Sequence, residues 1–125
     1  MNPYLKEVID LHVLIEALFA RGEPRIESML ARFHPDFSMV TPTGLQIDRQ
    51  AVEQLFRQRS KTQPGLTIEL TDLRVLGQGP DNATVLYRET HQLPGQAAKT
   101  RISTALLILQ EEEVLWRHLH ETWAT

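Results

Sequence analysis

The first segment of the chain carries apolar residues every three to four positions. This spacing holds from Leu5 to Phe19 and predicts an amphipathic helix with one wide apolar face. Asn2 is a residue type that caps helices, and Pro3 suits the first helical turn because its missing N–H would be unpaired there anyway. Gly22 is the predicted end of this helix.

Two shorter runs of the same period follow. One predicts a second helix from Pro24, which ends at the segment HPDF because the residue before a proline avoids helical angles. The residues Phe37–Thr41 then predict a short strand, and Pro42–Gly44 a turn. Asp48 is positioned to cap a third helix.

The second half of the chain has the composition of long strands, rich in Val, Ile, Leu, Thr and aromatic residues. The connections between these strands are short, which makes neighbouring strands antiparallel. Helices first and an antiparallel meander afterwards define an α+β layout, with the helices covering one face of a curved sheet. The four predicted strands are Leu66–Leu76, Ala83–Leu93, Ala98–Leu109 and Val114–Trp123.

Composition narrows the class of protein. A chain of 125 residues with 42% hydrophobic residues is long enough for one domain with a real core, so we expect a single domain over residues 1–125. With a net charge of −3, the chain lacks the excess of basic residues that is typical of nucleic-acid binding. It also has no polybasic run of the kind that binds membrane surfaces. Without cysteine there are no disulfides or thiolate ligands. No signal peptide is evident, and a cytoplasmic location is expected.

Three stretches give the chain a family resemblance: HPDFSMVTPTG, RISTALLIL and the closing WRHLHETW. Together with the order of elements, they resemble the nuclear transport factor 2-like superfamily, in particular its SnoaL-like branch, which is grouped with ketosteroid isomerases, polyketide cyclases and the association domain of calcium/calmodulin-dependent kinase II. The resemblance implies a cone-shaped, cystatin-like fold, with N-terminal helices packed on a strongly curved antiparallel sheet, and a homodimer formed through the sheet.

The alternation of side chains across a strand sorts the polar residues of the last three strands by face. Pairing Leu109 with Val114, and Leu93 with Lys99, would bring one set of polar groups together on a single face. A one-residue slip in either hairpin would send half of them to the other side. The predicted cluster comprises Glu89, His91, Arg101, Ser103, His118, His120 and Thr122, and it grades into Tyr87 and Trp116.

A wall that is polar at one end and apolar at the other is typical of a small-molecule cleft. We expect an apolar ligand with an anionic or carbonyl end, and no cofactor. Two alternatives stay open at this stage: a cyclase- or isomerase-type enzyme, and an association module without catalysis. In the enzyme, His120 or His118 would be the acid or base. The expected ligand-binding residues are Tyr87, Glu89, His91, Arg101, Ser103, Trp116 and Thr122.

A metal site is a weaker interpretation of the same histidines. His118, His120, His91 and Glu89 resemble a cupin-type ligand set, but the glycine-framed spacing of cupins is absent, and no metal is predicted. The opposite face of the sheet is apolar as well. Because the helices can cover only one face, the other face is expected to pack against a second copy of the chain.

Overall fold

The computed structural model describes residues 1–125, which form three helices and six strands. In chain order the elements are α1 (Pro3–Arg21), α2 (Ile26–Leu30), β1 (Phe33–Val40), β2 (Gln46–Asp48), α3 (Arg49–Arg59), β3 (Thr67–Gln78), β4 (Asn82–Gln92), β5 (Lys99–Gln110) and β6 (Glu113–Trp123). The predicted α+β fold is confirmed. None of the helices is long and apolar enough to cross a membrane.

All six strands belong to one sheet, in the order β2-β1-β6-β5-β4-β3. Every pairing is antiparallel except that of β1 with β6, which is parallel. Helix α1 packs against β3, β4 and β6, and α3 packs against β1. The core therefore lies between the helices and one face of the sheet, which we call the inner face; the other is the outer face.

The ends of α1 follow from the residues that the sequence singled out. The Asn2 side chain accepts hydrogen bonds from the backbone N–H groups of Tyr4 and Leu5, at 2.8 and 3.3 Å. Gly22 has a φ of 67° in the left-handed region, and its N–H donates to the carbonyl of Leu18. Glycine adopts this conformation without steric cost, so the predicted stop is confirmed.

The segment between α2 and α3 differs from the sequence prediction. Strand β1 begins at Phe33, four residues before the predicted start, so Phe33 belongs to the sheet and not to the second helix. Its parallel partner β6 supplies the reason, because Phe33 is paired with Trp116 and the N–H of Trp116 donates to the carbonyl of Arg32. This pairing joins residues far apart in the chain, which local periodicity does not report.

The register of β4 on β5 differs by two residues from the predicted pairing. His91 is opposite Lys99, where Leu93 was expected, and Glu89 is opposite Arg101. A shift of two residues leaves every side chain on its own face, because strand side chains alternate with a period of two. The predicted pairing was wrong, yet the predicted sharing of a face by β4 and β5 residues is confirmed.

The register of β5 on β6 begins as predicted, with Leu109 opposite Val114. It then shifts: Leu107 is opposite Trp116, whereas Leu106 is opposite His118, so Arg117 is an extra residue on β6. Such a β-bulge reverses the facing of all later side chains relative to simple alternation. Beyond Arg117, the odd-numbered residues of β6 therefore face inward.

Candidate functional site

A cavity of about 150 Å³ lies between α1, α3 and the inner face of the sheet. We call it the central cavity. Aromatic and aliphatic side chains of α1, α3 and β1 line most of it, and charged side chains of β4, β5 and β6 line the remainder. The apolar part includes Phe33, Phe37, Met39, Val52, Leu55 and Phe56, and the charged part includes Glu89, His91, Arg101 and Glu121.

A buried chain of three side chains, His12–Glu89–His91, lies at this charged end. Nε2 of His12 is 3.0 Å from Oε1 of Glu89, and Nε2 of His91 is 2.5 Å from Oε2. Nδ1 of His12 donates to the carbonyl of Val8 at 2.7 Å. An ionised Glu89 only accepts hydrogen bonds, so both ring nitrogens of His12 then carry protons, and the pair is an imidazolium and a carboxylate.

The pKa shifts agree with this proton count. Burial opposes ionisation of Glu89, but the charge and hydrogen bond of His12, with the hydrogen bond from His91, hold the pKa of Glu89 well below its usual value. Burial also opposes the charge on His12, and the Glu89 carboxylate outweighs that effect and raises the pKa of His12. These effects favour the charged form of His12 on α1.

A second carboxylate, Glu121, lies near this chain on β6. Its Oε2 accepts a hydrogen bond from Oγ of Ser103 at 3.1 Å, and its Oε1 accepts one from Nη1 of Arg101 at 3.3 Å. Burial, reinforced by the negative charge of Glu89, raises the pKa of Glu121 despite these contacts. The two buried carboxylates therefore differ: one is held ionised, and the other takes up a proton more readily.

Two buried hydrogen-bond donors on the inner face lack acceptors. Nε of Arg101 and the hydroxyl of Tyr87 are buried without a partner. Burial, together with the two carboxylates, raises the pKa of Tyr87 well above its usual value, so this hydroxyl stays protonated. The Arg101 guanidinium also lies 5.0 Å from the centre of the Trp123 ring. Arg59 lines the cavity from α3 and its side chain makes no ion pair or hydrogen bond.

Six of the residues predicted from sequence do share the inner face. Glu89, His91, Arg101 and Trp116 line the central cavity. Tyr87 and Ser103 are fully buried on the same face but do not line it, and Ser103 reaches the site through its hydrogen bond to Glu121. The structure thus brings together the β4 and β5 residues of the predicted cluster.

The three remaining residues of β6 lie elsewhere. His118, His120 and Thr122 are opposite Leu106, Thr104 and Ile102 on the outer face, so the prediction that they share a face with Ser103 and Arg101 is wrong. The physical reason is the bulge at Arg117. The Nδ1 atom of His118 is 2.8 Å from Oγ of Ser38, while His120 is exposed. The histidines considered as metal ligands are therefore divided between two faces, and no metal-ligating cluster is present.

Sequence reasoning missed Glu121 and gave His12 no definite role. Simple alternation placed Glu121 on the face opposite Ser103, and a bulge has no sequence marker here because Arg117 is not a glycine. His12 had one available signal: it lies within the apolar stripe of α1, at the helical spacing of Val8 and Ile15. A histidine in such a stripe needs a buried partner, and Glu89 is that partner.

Solved structures with similar folds define the class of protein. An NTF2-like protein of unknown function from Pseudomonas aeruginosa is 37% identical, with a TM-score of 0.93 and coverage of 98% of this chain and 99% of that chain. The association domain of C. elegans CaMKII is 14% identical, with a TM-score of 0.78 and coverage of 95% and 92%. A cystatin-like protein of unknown function from Nostoc punctiforme is 15% identical, with a TM-score of 0.73 and coverage of 95% and 90%.

These similarities place the fold among NTF2-like, cystatin-like proteins. Residues 14–123 match the model of the SnoaL-like domain, and the chain belongs to that family. The resemblance stated from the sequence is thereby confirmed. A comparison with curated proteins finds no match.

Proposed function

We propose that this protein, as a single domain over residues 1–125, binds a small molecule in the central cavity, with an apolar body and a hydrogen-bond-accepting end. The observation that carries the proposal is the composition of the cavity wall: apolar side chains surround one part, and charged side chains occupy the other, among them Arg101, whose buried Nε–H has no acceptor. Pockets of this kind orient a mostly apolar ligand through a few polar groups.

The accepting end of the ligand is argued from the state of the polar side chains. Each oxygen of Glu89 and of Glu121 already accepts a hydrogen bond, so both carboxylates are partnered without a ligand. The unfilled groups are donors: Nε of Arg101 and the Tyr87 hydroxyl. Buried donors without partners are costly, and a ligand oxygen at the Arg101 guanidinium would relieve that cost.

Filling the cavity tests this proposal. We expect acetophenone or benzoate to raise the Tm of the wild-type protein, since a ligand at about tenfold its Kd adds about 1.4 kcal/mol of stability. Leu119→Phe places a larger side chain at the half-buried cavity wall and should abolish the shift. The matched control is Leu76→Phe, which changes an exposed leucine on β3 that does not line the cavity, and it should keep the shift. A wild-type protein that responds to neither probe would contradict the proposal.

A homodimer through the outer face is proposed as well. Apolar side chains there remain half-buried, without a helix to cover them, and two such faces can pack as a sheet-on-sheet interface. We expect light scattering to return twice the mass of one chain at micromolar concentration, and Leu106→Arg to reduce it to the mass of one chain. A wild-type monomer would contradict the dimer. The side chains are Leu86, Ile102, Leu106, Ile108 and Leu115.

An acid–base enzyme is the second candidate function. The observation that favours it is Glu121, a buried carboxyl that lines the cavity and has a raised pKa, as catalytic acids and bases often do. Turnover of a bound carbonyl compound, with a pH profile that Glu121→Gln removes, would distinguish an enzyme from a binding protein.

The cytoplasmic location expected from the sequence stays a prediction.

A further inference from the structure

The ion pair between Arg101 and Glu121 is loose compared with its neighbours. It consists of one hydrogen bond of 3.3 Å, slightly longer than is usual for N–H···O, whereas an arginine and a carboxylate can form two parallel bonds. The adjacent contacts of Glu89 are 3.0 and 2.5 Å. Both members of the loose pair line the central cavity, and the guanidinium retains an unpartnered Nε–H.

We propose that the central cavity selects small monocarboxylates, which take the place of Glu121 at the Arg101 guanidinium while Glu121 takes up one proton from solvent. The inference rests on the function proposed above and names its ligand class. An incoming carboxylate can make the two parallel bonds to Arg101 that Glu121 does not make. No covalent bond forms or breaks, apart from the O–H bond of the protonated Glu121.

The proton uptake follows from the charges that would otherwise meet. Two carboxylates beside one buried guanidinium repel each other, and sharing a proton removes that repulsion. Once protonated, Glu121 can donate its own O–H to the ligand carboxylate while it keeps its contact with Ser103. Burial and the charge of Glu89 raise the pKa of Glu121, and this lowers the free-energy cost of protonating it.

Other titratable or charged groups surround Glu121, and they differ in protonation state. Glu89 on β4 is held ionised by two histidines, and His12 on α1 already carries its proton. Tyr87 on β4 stays protonated, and Arg59 on α3 and Arg101 on β5 are permanent cations. Strand β1 contributes only apolar side chains to the wall. His91 on β4 contacts the other oxygen of Glu89 and lines the same cavity, so the experiment includes a variant of His91 beside that of Glu121.

The size of the cavity sets the size of the probe. A dry cavity of roughly 150 Å³ holds a benzene ring, and the central cavity has a volume of about 150 Å³. Benzoate therefore presents a ring of suitable size and one carboxylate. Acetophenone keeps the ring with a neutral acceptor, and benzylamine keeps it with a cation.

Titration calorimetry of the three probes, in two buffers that differ in ionisation enthalpy, tests the inference. Benzoate should bind at least about tenfold more tightly than acetophenone and benzylamine, because bonds from a guanidinium to a charged acceptor are the stronger ones. About one proton should enter per benzoate bound, and its affinity should fall by about tenfold per pH unit above the pKa of Glu121. In Glu121→Gln, proton uptake should vanish and the pH dependence with it. The control His91→Asn should retain both.

Several results would overturn the inference. Equal affinity for acetophenone and benzoate, or benzoate binding without proton uptake, would contradict it and leave the proposed function standing. Preference for benzylamine, or proton uptake lost in His91→Asn and kept in Glu121→Gln, would also contradict it. Binding of none of the probes would overturn the proposed function as well. In Arg101→Gln with Glu121→Gln, which removes both charges together, benzoate should lose its advantage over acetophenone.

Discussion

Replacing Glu89 with alanine is expected to lower the free energy of unfolding by about 3–5 kcal/mol, because removal of one partner leaves a buried charge without compensation. Glu89 is 4% exposed and His12 is 5% exposed. Without the carboxylate, His12 must lose its charge, and both His12 and His91 lose a hydrogen-bond acceptor. Urea unfolding followed by circular dichroism measures the change.

Glu89→Gln is the matched control for this prediction. A glutamine amide can donate to Nε2 of a neutral His12, whose Nδ1–H still donates to the carbonyl of Val8, so the hydrogen bonds survive without the charges. The expected loss is therefore clearly smaller than for alanine. If Glu89→Gln and Glu89→Ala destabilise the protein equally, the ionic account of this pair is wrong.

The same pair gives the stability a defined pH dependence. His12 has a raised pKa, so its contribution is complete below its ordinary pKa of 6.5 and is lost as pH rises through its folded pKa. Glu89 has a lowered pKa, so its contribution is complete above its ordinary 4.5 and is lost as pH falls. The advantage of wild type over Glu89→Gln should be greatest between these values and should decline toward alkaline pH. An advantage that grows toward alkaline pH would contradict the charge assignment.

Replacing Trp116 with alanine is the second large effect, with an expected loss of about 3–5 kcal/mol. This side chain is fully buried, packs edge-on against His12 at 6.0 Å between ring centres, and lies 6.3 Å from Phe33. Its Nε1–H also donates to the carboxylate of Glu7 at 3.1 Å. The alanine variant therefore opens a cavity at the junction of β1 and β6, and removes a donor from a carboxyl whose pKa burial already raises.

Trp123 on the same strand provides the control. It is 43% exposed, and its one identified aromatic contact is with the Arg101 guanidinium. Trp123→Ala should cost at most about 1 kcal/mol, the value of an exposed cation–π contact. Each variant keeps a single tryptophan, so fluorescence should report a buried ring in Trp123→Ala and a partly exposed ring in Trp116→Ala. Equal destabilisation by the two substitutions would contradict the difference in burial.

Much of the fold was predictable because its signals are local. The caps Asn2 and Asp48 accept backbone hydrogen bonds within three residues, and such contacts depend only on neighbouring residues. The four long strands end within two residues of their predicted bounds for the same reason, since turn residues separate them. By contrast, β2 is three residues long, too short for a period to be detected.

The candidate site was predictable on β4 and β5 and not on β6. Glu89, His91, Arg101 and Ser103 share a face because alternation is uninterrupted in both strands, and even the two-residue error in pairing preserved it. On β6 the bulge at Arg117 turns Leu119 and Glu121 to the inner face, where His118 and His120 were predicted. No residue type near Arg117 indicates a bulge there.

The amino-acid sequence by itself determined the α+β fold, the family resemblance and the polar residues of β4 and β5 that share one face. Periodicity, caps and strand alternation act over a few residues, so the sequence carries these signals directly. Tertiary structure decided which groups of α1 and β6 join the β4 and β5 residues in the site. The extra residue in β6 turns Glu121 inward, the parallel pairing of β1 with β6 places Phe33 beside Trp116, and the packing of α1 brings His12 to Glu89. The pairs Phe33–Trp116 and His12–Glu89 are separated by 77 or more positions, where no local pattern can specify the partner.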